Sequence, residues 1–487
     1  MKTRFRTQTL GLAMYLWAER IRWPVPAAIR QLAGAVLSRG LLQTDFPVLD
    51  HWSKPISATD EIDRPAFASA LGSALPVATP SAQSSAKASS PRLRCAVVVG
   101  VPGIGGLDKI AIQLALYLPA HDIETVFVVP DEGSEPSQAS GEAGDKAYQE
   151  IRLEPRNFAT WLRAYRPDVI SLHGTTDWVV DSAAELGIPV VETLHGAHSF
   201  FDSRGWTAER LRSRKVASFV AVSELVRRQY LRANPQYSAR RIITVPNGID
   251  VCSVTTPDRS AARARLGLRE QFLFVSLARY SLQKNTFGLV QAFDELARLC
   301  PDVHLLIAGP AQDINYCRQV LRLRDNLQHA DRIHLRGNCD ETATLLSAAD
   351  GFVLNSFFEG WALASMEALA SGLPIVTSEV GGAREQIGED GTRGIVVANP
   401  LGDPEIMDWQ AMSRARFSPQ GNRKELVAAM ADIVARREYW AMMRDDLRKE
   451  SLVRFSIDRC VCEHAQALAN AAGARISSTS SEGVRLA

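Results

Sequence analysis

The chain has 487 residues, with 55 Lys and Arg against 54 Asp and Glu, a formal net charge of +1. That length allows two or three domains with large cores, and the balance of charge removes any global field favouring nucleic acid or strongly acidic partners. Seven scattered cysteines (Cys95, Cys252, Cys300, Cys317, Cys339, Cys460 and Cys462) are odd in number and lack metal-ligand spacing, which points to a reducing compartment rather than a disulfide frame.

The first forty residues carry Lys2, Arg4, Arg6, Arg20, Arg22, Arg30 and Arg39 against Glu19 alone. Leu10, Met14 and Trp17 fall on one helical face, as do Ile29, Leu32, Ala33, Val36 and Leu37. Two readings stay open. These helices can pack on the rest of the chain or on a second copy, the simpler case; or a basic amphipathic helix with Trp17 and Trp23 can lie on an anionic membrane surface. Glu19, Arg20 and Arg22 interrupt the apolar patch before a signal-peptide core forms, and no apolar run reaches the length of a membrane span. A cytoplasmic protein is expected, with peripheral contact at the inner face of the membrane as a variant. The Ala/Ser/Pro-rich tract Ser73 to Pro91 reads as a linker.

A buried parallel strand is predicted at Leu93 to Gly100, then a glycine-rich loop to Asp108 and a helix from Lys109 through Leu118. Further strands read at 125–129, 169–172, 190–193, 219–222 and 242–245, alternating with helical stretches as a doubly wound sheet requires. The loop Gly100-x-x-Gly103-x-Gly105-Gly106 invites a dinucleotide reading, but the third glycine of G-x-G-x-x-G is missing and only Asp131, late, offers a ribose acid. Glycines at 105 and 106 still allow close backbone approach to a phosphate. His173, His195 and His198 sit near strand ends without a partnering thiol, serine elbow or ligand spacing; His198 reads as a satisfied structural side chain.

A second sheet is predicted at 272–277, 304–308, 333–335, 351–354, 375–377 and 394–397. After its first strand, Arg279 and Lys284 supply two fixed cations, the chemistry that neutralises a diphosphate. The stretch from Asn355 to Thr377 is more specific. A strand runs into a loop holding Glu359, a helix spans roughly Trp361 to Ser371 with Glu367 on its body, and Gly372 and Pro374 end it. A helix N-terminus seats phosphate. Carboxylates on either side suit a molecule with hydroxyls at both ends and phosphates between, a nucleotide sugar.

These residues resemble the family 4, or group 1, retaining glycosyltransferases. Phe358-Glu359-Gly360 through Glu367-Ala368, Gly372 and Pro374-Ile375-Val376 match the family's Glu-x7-Glu segment, with Ala362 and Ala364 replacing its usual Gly and Pro or small residue. Ala278-Arg279 to Lys284-Asn285 is similar to its Gly-Arg-loop-Lys-Asn, Gly105-Gly106-Leu107-Asp108 to its Gly-Gly-x-Glu, Thr193-Leu-His195-Gly to its Thr-x-His segment, and Pro246-Asn247-Gly248-Ile249-Asp250 to its interdomain crossover. Gly381-Gly382 with Glu385 resembles an element near the donor base. The resemblance covers about residues 93 to 472 and is most specific between 272 and 398.

It implies an α/β fold of two Rossmann-like, doubly wound parallel-sheet domains facing across a cleft (GT-B type). The expected divisions are a helical extension 1–72, linker 73–91, an acceptor domain 92–255, a donor domain 256–440, helices 441–472 crossing back, and a tail 473–487. Leu401 to Gly421 reads as an insertion of open role. His195, Glu359, Arg279 and Lys284 are expected to be catalytic. Gly105, Gly106, Arg279, Lys284, Glu359, Gly360, Trp361, Ala362, Leu363 and Glu367 would bind the donor, with Glu367 on the ribose and Glu359 on sugar hydroxyls. His195 would hydrogen-bond the donor sugar, and His173 would face the acceptor.

No carboxylate cluster for Mg2+ stands in the first domain, so metal independence is expected, with no cofactor beyond the nucleotide-diphospho-sugar co-substrate and a glycan or lipid-linked acceptor. The expected activity is retaining transfer to an acceptor hydroxyl in polysaccharide, lipopolysaccharide or glycolipid synthesis. A sugar-nucleotide epimerase on the same scaffold and a non-catalytic nucleotide-sugar-binding partner are the alternatives. Oligomeric state is open.

Overall fold

The computed structural model describes residues 93–100, 106–130, 148–174, 176–196, 198, 201–250, 254–337, 341–406 and 408–473. The expected extension 1–72, the linker, Gly105 and the tail from 474 lie outside the described residues.

The first sheet begins with Leu93–Val99 (β1), an apolar run fully buried from Cys95 onward, as a central parallel strand covered on both faces must be. There follow Gly106–Tyr117 (α1), Ile123–Pro130 (β2), Glu150–Leu153 (β3), Phe158–Tyr165 (α2), Val169–His173 (β4), Asp177–Glu185 (α3), Val190–Leu194 (β5), Ser203–Arg212 (α4), Ser218–Ala221 (β6), Glu224–Ala233 (α5) and Ile242–Thr244 (β7). The order is β3-β2-β1-β4-β5-β6-β7, and every pairing is parallel. Strand β3 escaped the sequence pattern because it is a short edge strand carrying Glu150 and Arg152, with no apolar run to mark it. Helix α1 starts at Gly106, three residues ahead of the expected Lys109.

The second unit contains Arg259–Arg265 (α6), Phe272–Leu277 (β8), Thr286–Leu299 (α7), Val303–Ala308 (β9), Ile314–Asp325 (α8), Ile333–Arg336 (β10), Thr342–Ala348 (α9), Gly351–Leu354 (β11), Leu363–Ala370 (α10), Ile375–Ser378 (β12), Ala383–Ile387 (α11) and Gly394–Val397 (β13). Its order is β10-β9-β8-β11-β12-β13, again all parallel. Strand order therefore reverses between β1 and β4 in one sheet and between β8 and β11 in the other. In open parallel sheets such reversals open a crevice at the carboxyl ends, where ligands bind.

The last helices among the described residues are Trp409–Ala415 (α12), Arg423–Ala435 (α13), Arg437–Arg454 (α14) and Ile457–Ala472 (α15). Helix α14 packs on α10, whereas α15 returns to the first sheet, where Cys460, Val461, Ala465 and Leu468 share a core with Cys95, Val97, Ile110 and Leu114. The outgoing and returning crossings lie side by side. The Ile249 N–H donates to Phe455 O at 2.7 Å and the Ile457 N–H to Ile249 O at 3.0 Å. The Pro246–Asp250 turn is thus one half of a two-stranded connection between the sheets.

Candidate functional site: a cleft between two sheets

At the β8 end, Ala278 and Arg279 lead into a short 3-10 turn, Leu282–Lys284, and Asn285 takes a left-handed conformation, φ +50°. Asn285 is one of the few side chains that tolerate this region, and its amide fixes the loop. Its Nδ2 donates to Asn355 O at 2.9 Å and to Gln420 Oε1 at 2.8 Å, and its Oδ1 accepts from Gln420 at 2.6 Å. The loop after β11 is tied to the same turn, the Phe357 N–H donating to Gln283 O at 2.9 Å. Lys284 and Glu359, seventy-five positions apart, are thereby brought together at 2.6 Å.

This pair is nearly dry: the Glu359 side chain is 7% exposed and Lys284 16%. Ser356 Oγ also donates to Glu359 Oε1 at 2.6 Å. Glu359 Oε2 has only a long contact of 3.5 Å from Gln283 Nε2, so one oxygen stays available for a ligand. A buried ion pair is a weak stabiliser, because desolvation consumes most of its Coulombic gain. Its place at a sheet's switch point makes ligand binding the better explanation. Arg279, half-buried, makes no hydrogen bond or ion pair among the described residues.

Helix α10 begins at Leu363, two residues later than the sequence pattern placed it, and no side chain caps it. Its first-turn N–H groups point toward the cleft end of the sheet without a side-chain acceptor. The Trp361 indole turns inward, donating to Met366 Sδ at 3.4 Å and packing edge-on against Phe455; only its backbone can meet a ligand. Gly360 lies against the His195 carbonyl of the first domain so closely that any Cβ would collide with it. Gly381, φ +45°, packs equally closely on the Gly360 backbone. Across the cleft, Gly106 at the start of α1 faces Leu363 at the start of α10. Two helix N-termini therefore approach each other.

Glu367 is met from the opposite domain. Lys109 Nζ reaches Glu367 Oε1 at 2.8 Å, both side chains being partly exposed. Further bridges are Glu385 accepting from the Glu224 N–H at 2.7 Å, and Arg228 to Glu405 at 2.8 Å.

In the first domain, the β1/β4/β5 register sets Val99 beside His173 and His173 beside Thr193. His173 Nδ1 and His195 Nε2 share a hydrogen bond of 2.8 Å, and His173 Nε2 meets Ser171 Oγ at 3.1 Å. Burial holds His173 well below its usual range, drops His195 to about 3 and, on α15, His464 to about 4. All three are neutral imidazoles at physiological pH. The expectation that His173 faces the acceptor is corrected here: with no exposed surface it lies behind His195 and fixes that ring.

Sequence reasoning singled out Arg279, Lys284, Glu359, Glu367, Gly360 and His195, and the structure gathers Lys284 with Glu359 and Gly360 with His195. It missed Lys109, Ser356, Gln283 and Gln420. Ser356 and Gln283 adjoin the chosen loops and could have been found as polar residues at strand ends. Lys109 and Gln420 gave no local signal, since only the tertiary fold brings them in. The 401–421 segment is no idle insertion: Met412 packs with Leu282, Phe357 and Phe358 beneath the site. Among the described residues, no group of three or more His, Cys, Asp or Glu is placed to hold a metal ion.

Residues 104–252 match the family described as Glycosyltransferase Family 4, and residues 258–410 that described as Glycosyl transferases group 1. Over 217 residues the chain is 32% identical to D-inositol 3-phosphate glycosyltransferase of Geodermatophilus obscurus, covering 43% of this chain and 46% of that one. Over 248 residues it is 32% identical to glycogen synthase of Mycobacterium tuberculosis, with 46% and 55% covered. The chain spans about half the length of these curated relatives. Among solved structures, HepE of Anabaena in complex with UDP and glucose superposes with a TM-score of 0.61 at 17% identity, over 78% of this chain and 100% of that one. Sucrose-phosphate synthase of Thermosynechococcus elongatus gives 0.61 at 18%, over 77% and 98%. Two parallel Rossmann-like sheets facing across a cleft, in this company, are the GT-B architecture. The chain belongs to the group 1, or family 4, glycosyltransferases.

Proposed function

We propose that the enzyme moves a sugar from a nucleotide-diphospho-sugar to an acceptor hydroxyl with retention of anomeric configuration, in polysaccharide, lipopolysaccharide or glycolipid synthesis. The observation that carries this reading is the buried Lys284–Glu359 pair at the β8/β11 switch point, with Arg279, without a partner among the described residues, after the same strand and a helix without a side-chain cap beside it. Cations and backbone N–H groups suit a departing diphosphate, and the free Glu359 oxygen suits sugar hydroxyls. The donor class is supported further by HepE, whose structure holds UDP and glucose.

In this reading the bond from the anomeric carbon to phosphate oxygen breaks while the acceptor oxygen bonds to the same face. The acceptor's proton passes to a leaving phosphate oxygen, so no protein nucleophile is needed. Neutral His195 hydrogen-bonds the donor sugar, and His173 holds its ring. Glu367 reads the ribose, exchanging its contact with Lys109. Gly106 lets the first domain approach the phosphates, and closure excludes competing water. Arg279, Lys284 and the helix end take the charge that a metal would otherwise neutralise, and no further cofactor enters the scheme.

The test is incubation with nucleotide sugars labelled at the anomeric carbon, with and without EDTA, followed by NMR of the products. Transfer, or slow hydrolysis, with the donor's configuration kept and no loss on chelation is expected. An isomerised nucleotide sugar would instead identify an epimerase, inversion would remove the same-face step, and loss with EDTA would remove metal independence.

A further inference from the structure

On the first-domain side of the cleft, three side chains form one hydrogen-bonded row. Ser171 and His173 stand two positions apart on β4, so both project from the same face of the strand. His195 directly follows β5. Ser171 Oγ lies 3.1 Å from His173 Nε2, and His173 Nδ1 lies 2.8 Å from His195 Nε2. Ser171 and His173 are fully buried, whereas His195 is partly exposed. The His195 backbone abuts Gly360 of the second domain, and its Nδ1 has no hydrogen-bond partner among the described residues. The row therefore runs from the interior of β4 to the cleft.

Proton count gives the row a direction. Only one hydrogen fits between two ring nitrogens 2.8 Å apart, and burial keeps both rings neutral, so each ring carries a single N–H. Two orders meet these conditions. In one, the Ser171 O–H donates to His173 Nε2, the His173 Nδ1–H donates to His195 Nε2, and His195 carries its hydrogen on Nδ1. In the other, the His195 Nε2–H donates to His173 Nδ1 and the His173 Nε2–H donates to Ser171 Oγ, which strands the Ser171 hydrogen. Ser171 Oγ has no partner besides His173 among the described residues, and a buried hydroxyl hydrogen without an acceptor carries the desolvation cost of an unpaired donor. The first order strands nothing in the interior. Its one spare hydrogen is on His195, the member of the row that a ligand can meet.

We infer that Ser171 is a positioning residue which, through His173, fixes His195 in the tautomer with its hydrogen on Nδ1, so that His195 meets the substrate as a hydrogen-bond donor. This role rests on the transfer reading above and deepens it. His195 gives its hydrogen to an oxygen of the sugar, and no imidazole lone pair is left at the cleft to take a proton from the acceptor hydroxyl. That proton must go elsewhere, in keeping with its passage to a leaving phosphate oxygen. A buried serine thus sets the chemistry of a ring it does not touch.

The test is heteronuclear NMR of the full-length protein, isotope-labelled in the histidine rings and free of substrate. The two rings are assigned by the signals lost in His173→Gln and His195→Gln. Wild type is expected to show both rings with a protonated Nδ1 and a bare Nε2. A protonated Nε2 on either ring would overturn the assignment, and this spectrum decides it without any further variant. Ser171→Ala removes the first donor of the row, so His173 should show both tautomers. With a nucleotide sugar, kcat of that variant should fall about tenfold, the equivalent of one hydrogen bond, while donor KM holds because the second domain still grips the nucleotide. Unchanged tautomers in Ser171→Ala would overturn the role of Ser171, whatever the rate. Wild type that neither transfers from nor hydrolyses any nucleotide sugar would overturn the transfer reading instead, and the substrate-free spectrum would still decide the order of hydrogens.

Discussion

Toward the carboxyl end of the first sheet lie three buried imidazoles, His173, His195 and, from α15, His464, whose basicity burial has removed; at the same end of the second lies a nearly dry Lys284–Glu359 ion pair, beside an arginine without a partner among the described residues. Sheet topology is shared, and both sites sit where strand order reverses. The contrast shows that the fold supplies the crevice while loop residues decide its ligand. In the proposed reading the charged edge takes the diphosphate and the neutral edge the sugar hydroxyls.

The strongest way to break this contrast is to remove a second-domain cation. Arg279→Ala should lower kcat on the order of 10²–10³-fold, as loss of one transition-state donor does. Because Arg279 has no partner among the described residues, its melting temperature should hold. Lys284→Ala should cost similar activity and also roughly 3–5 kcal/mol of stability, since it strands a buried carboxylate. Denaturant titration beside initial rates separates the two. Equal losses of stability in both variants would contradict the assignment of Arg279 to the ligand.

Gly360→Ala tests whether the two edges must meet. A methyl group there strikes the His195 carbonyl, and misplacing the domains should cost about 10²-fold in kcat/KM. Nucleotide binding to the second domain alone should be little changed, which calorimetry can check.

How much of this was legible in the sequence follows from range. Apolar runs such as Leu93–Val99 and the Glu359-to-Val376 stretch are local patterns, and they revealed both sheets and one side of the site. Edge strand β3 lacked such a pattern. Partners across long separations were invisible until folding joined them: Lys109 with Glu367 in an ion pair, and Gln420 with Asn285 through hydrogen bonds. His173 misled because a histidine at a strand end looks alike whether it faces the cleft or stands behind another histidine. Whether 401–421 was an insertion or a support depended on Met412 and Gln420, whose contacts are entirely tertiary.

The neutral edge has a test of its own. With folded values near 4 for His464 and about 3 for His195, against an unfolded value of about 6.5, the unfolded chain binds more protons between those limits, so these groups cost stability as pH falls below about 6.5. His464→Gln removes one such group. Relative to wild type, the variant should gain stability on acidification from pH 6.5 toward 4, by up to about 1.4 kcal/mol per pH unit. A flat difference between the two thermal-melt profiles would mean that His464 is not held neutral.

The smallest effect belongs to the bridge between the edges. Lys109→Met removes a partly exposed pair worth at most about 1 kcal/mol, so a change of no more than roughly fivefold in donor KM is expected, smaller still at high salt.

The most direct measurement is calorimetric titration of a panel of nucleoside diphosphates into wild type, Arg279→Ala and His195→Ala. Wild type should bind at least one, Arg279→Ala should bind it at least about tenfold more weakly, and His195→Ala should bind it nearly unchanged, since the neutral edge reads sugar rather than phosphate. Nucleotide binding that survives in Arg279→Ala and fails in His195→Ala would reverse the roles of the two sheets.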